Sequence, residues 1–202
     1  LLLCPSAKSG DWFPGIPLSA VAGIDEAGRG CLAGPVVAAA VVLPEGAVIP
    51  GLADSKVLSP TRRDGLAAEI GAVALAWGLG VVWPPEIDRI NILQATYEAM
   101  RQAVAQLPQE PDIFLNDAVI IPGISEEKQI KIIKGDAKSV SIAAASILAK
   151  VTRDHMMMEY DKIYPEYGFA KHKGYGTPAH ITALKEFGPT PIHRRTFITK
   201  FV

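Results

Sequence analysis

Three apolar runs in the first half of the chain predict β-strands. They cover residues 20–24, 36–43 and 72–83. A glycine-bearing segment separates the first two runs, which favours antiparallel neighbours joined by a loop. Each run is shorter than the ~20 residues that a membrane-spanning helix needs. We therefore expect buried strands and no membrane association.

Helix signals follow the second run. A proline at a first helical position, preceded by a serine N-cap, predicts a helix that begins at Pro60 and stops near Gly71. Apolar residues spaced three and four apart predict an amphipathic helix that ends at Pro108. Its stripe consists of Ile90, Leu93, Tyr97, Met100, Val104 and Leu107. Two more helices are predicted over residues 139–163 and 178–187.

Two short strands complete the predicted sheet, over residues 113–115 and 128–133. The second mixes lysine with apolar residues, which is typical of a sheet edge. The chain is thus predicted to be an α/β protein, with a meander of three strands followed by strands separated by helices. We expect an N-terminal extension over 1–18, one domain over 19–202, and a small helical C-terminal appendage that starts at about residue 165.

The composition indicates a folded protein. Of 202 residues, 49% are hydrophobic and 20% are charged, which excludes disorder of the whole chain. The net charge of −1 is not the strongly basic balance of a protein that holds nucleic acid by charge alone. Residues 171–200 are locally basic, which indicates either a basic surface or a solvated tail. Cys4 and Cys31 form neither a disulfide framework nor a zinc spacing, which fits a reducing cytoplasm. We expect a cytoplasmic protein. We also expect a monomer.

Carboxylates follow three of the predicted strands. Asp25 and Glu26 end the first strand, Asp117 ends the fourth, and Asp136 comes after the fifth. Each acid alone is most simply interpreted as part of a solvated loop, but ends of neighbouring strands can converge. Converged carboxylates repel one another unless a proton or cation intervenes, and oxygen ligands suit Mg²⁺ or Mn²⁺. Two such ions can activate water in phosphodiester hydrolysis. Because adjacent strand residues point to opposite faces, Glu26 must reach around the strand end to join Asp25.

Three other segments could contact a substrate. Gly28-Arg29-Gly30 is either a tight turn or a backbone surface that a ligand can approach closely. Lys150 shares a helix face with Ser146 and Asp154, so it either pairs with Asp154 or binds phosphate. Tyr175, flanked by glycines and preceded by two lysines, is either a buried tyrosine in a charged loop or a ring that packs on a sugar or base.

Several blocks, taken together, closely resemble bacterial ribonuclease HII. The first runs from Gly23 to Gly30 (GIDEAGRG) and continues over residues 32–41. The further blocks are residues 54–59 (DSKVLS), 134–136 (KGD), 142–154 (IAAASILAKVTRD), 172–177 (HKGYGT) and 193–195 (HRR). They occur in the family's order and cover roughly residues 20 to 197.

The resemblance implies a ribonuclease H-like fold with a five-stranded mixed sheet flanked by helices. It implies cleavage of RNA–DNA hybrids and incision at single ribonucleotides in duplex DNA, leaving a 3′-hydroxyl and a 5′-phosphate. By the same resemblance, Asp25, Glu26, Asp117 and Asp136 are the metal-binding catalytic acids, with Mg²⁺ or Mn²⁺ as the cofactor.

The resemblance also implies substrate contacts. The segment Gly28-Arg29-Gly30 would contact the ribose 2′-hydroxyl, and Tyr175 would pack against the sugar beside the cleaved junction. Phosphate contacts are implied for Lys56, Ser146 and Lys150. The 2′-hydroxyl is the group that distinguishes RNA from DNA.

One departure and three alternatives accompany this interpretation. Asn116 precedes the third acid where the family commonly has an apolar residue, which puts local stability or metal affinity in question. A hybrid-only nuclease similar to ribonuclease HIII fits the acids but not the intact Gly28-Arg29-Gly30 and Tyr175. A non-catalytic hybrid-binding module predicts loss of an acid, and all four are present. A small-nucleotide phosphatase leaves the basic segment from residue 171 without a role.

Overall fold

The computed structural model describes residues 16–52 and 58–202. Five strands form one mixed sheet in the order β3-β2-β1-β4-β5. The strands are β1 (Val21–Ala27), β2 (Val36–Val42), β3 (Ala76–Val82), β4 (Ile113–Asp117) and β5 (Gln129–Ile132). The helices are α1 (Pro60–Val73), α2 (Pro84–Ile90), α3 (Ile92–Val104), α4 (Val140–Ile163), α5 (Phe169–His172), α6 (Pro178–Phe187) and α7 (Arg195–Ile198).

The strand pairing changes from antiparallel to parallel at β1. The meander β1-β2-β3 is antiparallel, whereas β4 runs parallel to β1 and β5 parallel to β4. The predicted α/β class, five-stranded mixed sheet and edge position of β5 are confirmed. The prediction that helices separate the later strands holds only between β3 and β4. A single 3-10 turn, Glu126–Lys128, lies between β4 and β5.

Several predicted boundaries of helices and strands were wrong. Helix α1 continues past Gly71 to Val73, and β3 starts only at Ala76, because the intervening residues complete the last helical turn. The predicted amphipathic helix is broken at Asn91, whose φ of 70° is incompatible with a continuous helix. The Asn91 side chain accepts hydrogen bonds from the first amides of α3, so Ile90 belongs to the preceding helix α2. Helix α3 ends at Val104, before Pro108.

The sheet lies between two helical layers. One face packs on α3 and the other on α1 and α4, and apolar residues of β2 alternate between the two cores. A Cβ atom at Gly23 of β1 would lie 2.1 Å from the main-chain carbon of Ser141. Only glycine therefore lets α4 approach β1 so closely. This contact fixes the start of α4 against the strand that carries Asp25.

The C-terminal helices form a small cluster on the end of α4, with Tyr167 and Phe169 in its core. The predicted basic surface is present only in part. Arg194 and two histidines, His180 and His193, are buried, whereas Lys171, Lys185, Arg195 and Lys200 are exposed. None of the helices described for residues 16–52 and 58–202 is long and apolar enough to cross a membrane.

Candidate active site

Asp25 and Asp117 lie on neighbouring parallel strands near their carboxyl ends. In the register of β1 and β4, Ile24 is opposite Asn116, so the next residue of each strand is one of these aspartates. Asp25 lies on the β1 face that packs on α4 and is 7% exposed. Its carboxyl accepts the Glu26 amide at 2.8 Å and a hydrogen bond from Ser146 of α4.

Asp136 is held next to β4 by its preceding glycine. The Gly135 N–H donates to Asp117 Oδ1 at 2.7 Å, and a Cβ atom at Gly135 would contact both Ile142 and that carboxylate. Asp136 itself lies in the 3-10 turn Gly135–Ala137 and is buried. The short turn that carries Asp136 is therefore hydrogen-bonded directly to Asp117.

Glu26 starts from the opposite face of β1 to Asp25, as strand alternation requires. Its side chain nevertheless reaches the groove that Ser146 lines, and it is only 12% exposed. Oε1 pairs with Arg29 at 3.2 Å. Oε2 is buried without a hydrogen-bond partner among the described residues. Glu26 thus brings an unsatisfied oxygen to the strand end where Asp25 lies.

Burial and mutual repulsion dominate the electrostatics of these acids. Loss of hydration raises the pKa of Asp25 to about 8, with further raising by the charges of Glu26 and Asp117. The hydrogen bonds from Ser146 and the Glu26 amide act in the opposite direction. Burial also raises the pKa of Glu26, although Arg29 opposes this effect. Such a site binds protons or cations more readily than it tolerates bare negative charge.

The four acids do not form a ready-made cage in the described residues. Asp25, Glu26 and Asp117 interact electrostatically, and Asp136 lies one turn away. Across residues 16–52 and 58–202, however, no group of three or more His, Cys, Asp or Glu side chains is arranged to hold a metal ion. The strand ends bring the acids to one region, and their side chains are not converged on one point.

A groove of about 460 Å³ opens beside Glu26. It contains every substrate-contact residue predicted within the described part of the chain. The groove is lined by Glu26, Ala27, Gly28, Arg29, Gly30, Arg63, Ser146, Ile147, Lys150 and Tyr175. Lys150 pairs with Asp154 at 2.8 Å, as one of its two interpretations predicted, and it also lines the groove. The remaining predicted contact, Lys56, lies outside the described residues.

The glycine segment beside the groove is held from the protein interior. A Cβ atom at Gly28, whose φ is 94°, would lie 2.1 Å from the Arg153 side chain, whereas the space at Gly30 is open. The carbonyls of Gly28 and Arg29 accept hydrogen bonds from the buried Arg194 guanidinium. Arg153 holds three more carbonyls in the same region. The turn therefore has a fixed shape and an accessible outer side.

Tyr175 projects into the groove from a loop that docks on this turn. The Gly174 carbonyl accepts the Leu32 N–H at 2.8 Å, and a Cβ atom at Gly174 would collide with the Ala33 carbonyl. The ring is 44% exposed and lies 5.9 Å from the Lys150 ammonium. Its exposed face is available for a flat or apolar group.

Sequence reasoning missed Arg63, Arg153 and Arg194. Arg63 lies on α1 and lines the groove, but nothing in its sequence setting distinguishes it from the neighbouring Arg62. Arg153 and Arg194 fall within the blocks used for the resemblance, yet their sequence suggests surface charge. Only the fold reveals that both are almost fully buried.

The Asn116 departure has a structural explanation. Its side-chain amide donates to Gln129 Oε1 of β5 at 2.8 Å. The same glutamine holds the backbone of Ile121 in both directions and also the Ile124 carbonyl. Asn116 therefore joins a polar network that fixes the 118–124 loop. Asp117, the next residue, lies outside this network and accepts the Gly135 N–H.

Comparison with known proteins identifies the family of the chain. A protein-family model described as Ribonuclease HII matches residues 22–200. This chain belongs to the ribonuclease HII family. Ribonuclease HII of Geobacter metallireducens is 60% identical over 179 residues, which are 88% of this chain and 83% of that protein. Ribonuclease HII of Ruminiclostridium cellulolyticum is 59% identical over 182 residues, 90% of this chain and 71% of that protein.

Solved structures give the same fold. Ribonuclease H2 from Pyrococcus horikoshii superposes with a TM-score of 0.72 at 30% identity, covering 87% of this chain and 92% of that one. The ribonuclease HII of the Archaeoglobus fulgidus PCNA complex gives 0.75 at 29%, covering 89% and 94%. A ribonuclease HIII in complex with Mn²⁺ gives 0.68 at 19%, covering 91% and 68%, and shares the fold. As a ribonuclease HII family member, the chain is an endoribonuclease, which excludes the phosphatase and non-catalytic alternatives.

Proposed function

We propose that this enzyme hydrolyses the RNA strand of RNA–DNA hybrids and also cuts on the 5′ side of single ribonucleotides in duplex DNA. The products would carry a 3′-hydroxyl and a 5′-phosphate. The observation that supports this most strongly is the groove, where Gly28-Arg29-Gly30 and Tyr175 lie beside Glu26. A 2′-hydroxyl bound at the turn would lie next to the acidic strand ends.

The acids fit hard divalent cations as a donor set. Asp25, Glu26, Asp117 and Asp136 provide only oxygen ligands, which suit Mg²⁺ or Mn²⁺. The unsatisfied Glu26 Oε2 and the raised pKa of Asp25 favour an added positive charge. When bound, two such ions would supply an activated water and stabilise the leaving oxygen. Binding would require the side chains to turn towards one another.

The groove residues have separate roles in the proposal. The outer side of the Gly28–Gly30 turn accepts the ribose, and Tyr175 packs on the neighbouring sugar. Lys150 and Arg63 provide positive charge for the phosphates of the strand being cut. Ser146 holds Asp25 in place. Lys56, which lies outside the described residues, is proposed as another phosphate contact.

The test compares three substrates in Mg²⁺ or Mn²⁺: a DNA duplex with one ribonucleotide, an RNA–DNA hybrid, and DNA alone. We expect cation-dependent cleavage of the first two, with the 5′ side of the lone ribonucleotide cut. Asp25→Asn should abolish both activities because it removes a proposed metal ligand, and Asp112→Asn, at an exposed position, is the matched control. Cleavage of the hybrid alone would support the ribonuclease HIII-like alternative. Loss of cleavage in the control as well would point to damage to the fold.

A further inference from the structure

Three histidines, two of them buried, form a cluster behind the Tyr175 loop, outside the proposed catalytic and substrate contacts. His172 stacks on His180 with ring centroids 4.5 Å apart and planes 11° apart. The rings of Phe169 and His180 pack edge to face with their centroids 5.4 Å apart, and His193 lies tilted against His180. His180 and His193 are at most 1% exposed. Their ring positions are therefore fixed by packing.

Hydrogen bonds connect two of these rings into a line that ends at Tyr175. The Thr190 N–H donates to His193 Nδ1 at 2.9 Å, and His193 Nε2 lies 3.0 Å from His180 Nε2. At the far end, His180 Nδ1 lies 2.9 Å from the Tyr175 carbonyl oxygen. We call this line, from Thr190 through His193 and His180 to the Tyr175 carbonyl, the histidine relay.

The two ends of the histidine relay determine where its protons lie. A backbone N–H can only donate, so His193 Nδ1 accepts and the proton of that ring is on Nε2. His180 Nε2 must then accept, which puts its proton on Nδ1, facing a carbonyl that can only accept. With both rings neutral, every contact joins a donor to an acceptor. Burial lowers the pKa of both histidines, and that of His193 to about 4, which agrees with two neutral rings.

The histidine relay acts on the backbone of a groove residue. The Tyr175 carbonyl accepts from His180 and from the Thr177 N–H at 2.8 Å, while its amide donates to the His172 carbonyl. The ring of the same residue lines the groove beside Lys150. A change in the relay would therefore move the ring without removing any group that faces the substrate.

We propose that His180 and His193 are positioning residues that place Tyr175 in the groove and so set the preference for a lone ribonucleotide. This inference rests on the proposed function, in which Tyr175 packs on the sugar at the junction. A hybrid offers 2′-hydroxyls along its whole RNA strand, so its cleavage depends less on one well-placed ring. The histidine relay thus controls selectivity more than the chemical step.

Two variants of His193 test whether this histidine acts through its hydrogen bonds or only fills space in the core. In His193→Asn, the short amide can accept the Thr190 N–H but has no atom at the place of Nε2. In His193→Gln, the longer amide carries an N–H to that place and can still donate to His180. His155→Asn is the control, since its ring is exposed and pairs with Asp64 on the surface.

The measurement is kcat and KM on the single-ribonucleotide duplex and on the hybrid, for variants with wild-type circular dichroism. We expect His193→Asn to lose about tenfold in kcat/KM on the single-ribonucleotide duplex, the effect of one hydrogen bond, and much less on the hybrid. His193→Gln should restore most of the loss, and the control should match the wild type. Equal losses on both substrates, or equal behaviour of the two His193 variants, would overturn the relay.

Two further readouts separate this inference from the proposed function. If wild-type protein does not cut at a lone ribonucleotide, or Tyr175→Ala leaves that cleavage intact, the proposed function fails, and the selectivity role fails with it. If Tyr175→Ala loses that cleavage but His193→Asn does not, only the relay fails. Long-range proton–nitrogen NMR should find the proton of His180 on Nδ1 and that of His193 on Nε2. The opposite tautomers would contradict the relay directly.

Discussion

The guanidinium of Arg194 donates a hydrogen bond of 2.7 Å to the carbonyl oxygen of Gly28, a residue 166 positions earlier in the chain. The same group also binds the carbonyls of Arg29 and Gly34. The C-terminal segment thus holds the turn beside the acids from behind. No acidic side chain is paired with this buried cation among the hydrogen bonds and ion pairs of the described residues. Main-chain carbonyls, together with the Phe197 ring centred 5.3 Å from the guanidinium carbon, offset its lost hydration.

Arg194→Lys should loosen the glycine turn. A lysine ammonium lacks the planar fork that reaches three carbonyls at once, so at least one buried carbonyl loses its partner. We expect a loss of about 2 kcal/mol in the free energy of unfolding, together with lower activity on the single-ribonucleotide duplex. Urea denaturation and cleavage assays check this. The neighbouring Arg195→Lys, at an exposed position, should change neither quantity, and a stability loss of the same size there would contradict the interpretation.

Asn116→Val should be nearly neutral or stabilising. The change removes one hydrogen bond to Gln129, whose Oε1 still accepts the Ile121 N–H. It also removes the Asn116 Oδ1 atom, which is buried without a hydrogen-bond partner among the described residues. Removing an unsatisfied polar atom offsets the lost bond.

Gln129→Leu is the informative counterpart to that change. It leaves the Ile121 amide and the Ile124 carbonyl without their side-chain partner. The Ile121 carbonyl keeps only the Ile124 N–H at 3.4 Å. We expect a loss of about 3 kcal/mol, read as a lower urea midpoint. If Asn116→Val were the more destabilising of the two, the network would be organised around Asn116 and not around Gln129.

The pH dependence of Asp25 gives a test in cation-free protein. Because burial raises its pKa from 3.8 to about 8, the folded state binds a proton that the unfolded state releases at lower pH. The stability contributed by the protonated form is full below about pH 4 and is lost as the pH rises through 8. Asp25→Asn should therefore raise the melting temperature at pH 8 by roughly 5 °C or more, and change it little at pH 4.

Added divalent cation should reverse the order of the two melting temperatures at pH 8. Mg²⁺ or Mn²⁺ is expected to raise the melting temperature of the wild type and not that of Asp25→Asn, since a ligand stabilises only the state that binds it. Thermal melts with a chelator and with each cation, at both pH values, measure this. If Asp25→Asn and the wild type had the same melting temperature at pH 8 without cation, the raised pKa of the Asp25 carboxyl would be contradicted.

The sequence predicted the strands better than the limits of the helices. The strands β1 and β2 are buried on both faces, so each appears in the sequence as a continuous apolar run of strand length. The break at Asn91 was missed because a left-handed residue that also caps the next helix leaves the three-and-four spacing intact. The boundary at Ala76 was missed because apolar residues continue from the last turn of α1 into β3, and length alone does not separate them.

For the candidate site, the sequence predicted residues that the fold brings to one region, but it did not predict the residues that support them. Each acid follows a strand, which is visible in one dimension, and the resemblance supplied Gly28-Arg29-Gly30 and Tyr175. Arg194 acts on the main chain of Gly28, which lies 166 positions earlier, and no local pattern encodes such a contact. His180 acts on the Tyr175 carbonyl, and the sequence does not show that its ring is turned inward. Both residues contributed to the prediction of a basic tail, whereas the fold buries them.

Two glutamines, Gln102 of α3 and Gln106 just beyond its end, cover the exposed edge of the sheet. The Val81 N–H of β3 donates to Gln102 Oε1 at 3.0 Å, and Gln106 both accepts from the Leu79 N–H and donates to its carbonyl. Unpaired edge groups are templates for association with another strand. We expect Gln102→Ala with Gln106→Ala to self-associate as concentration rises, measured by light scattering after size exclusion. Gln109→Ala, an exposed glutamine beyond the end of α3, is the control, and an unchanged mass for the double variant would mean that the side chains do not protect the edge.

Arg63 tests whether the groove binds the nucleic acid backbone. It lines the groove on the side of α1, while the preceding Arg62 donates to the Pro50 carbonyl and does not line it. Arg63→Ala should raise KM severalfold on both substrates alike and reduce the slope of log affinity against log salt by about 1, because one phosphate contact is lost. Arg62→Ala should leave that slope unchanged. A loss confined to the single-ribonucleotide duplex would instead make Arg63 a sensor of the junction, and equal slopes for both variants would place the phosphates outside this groove.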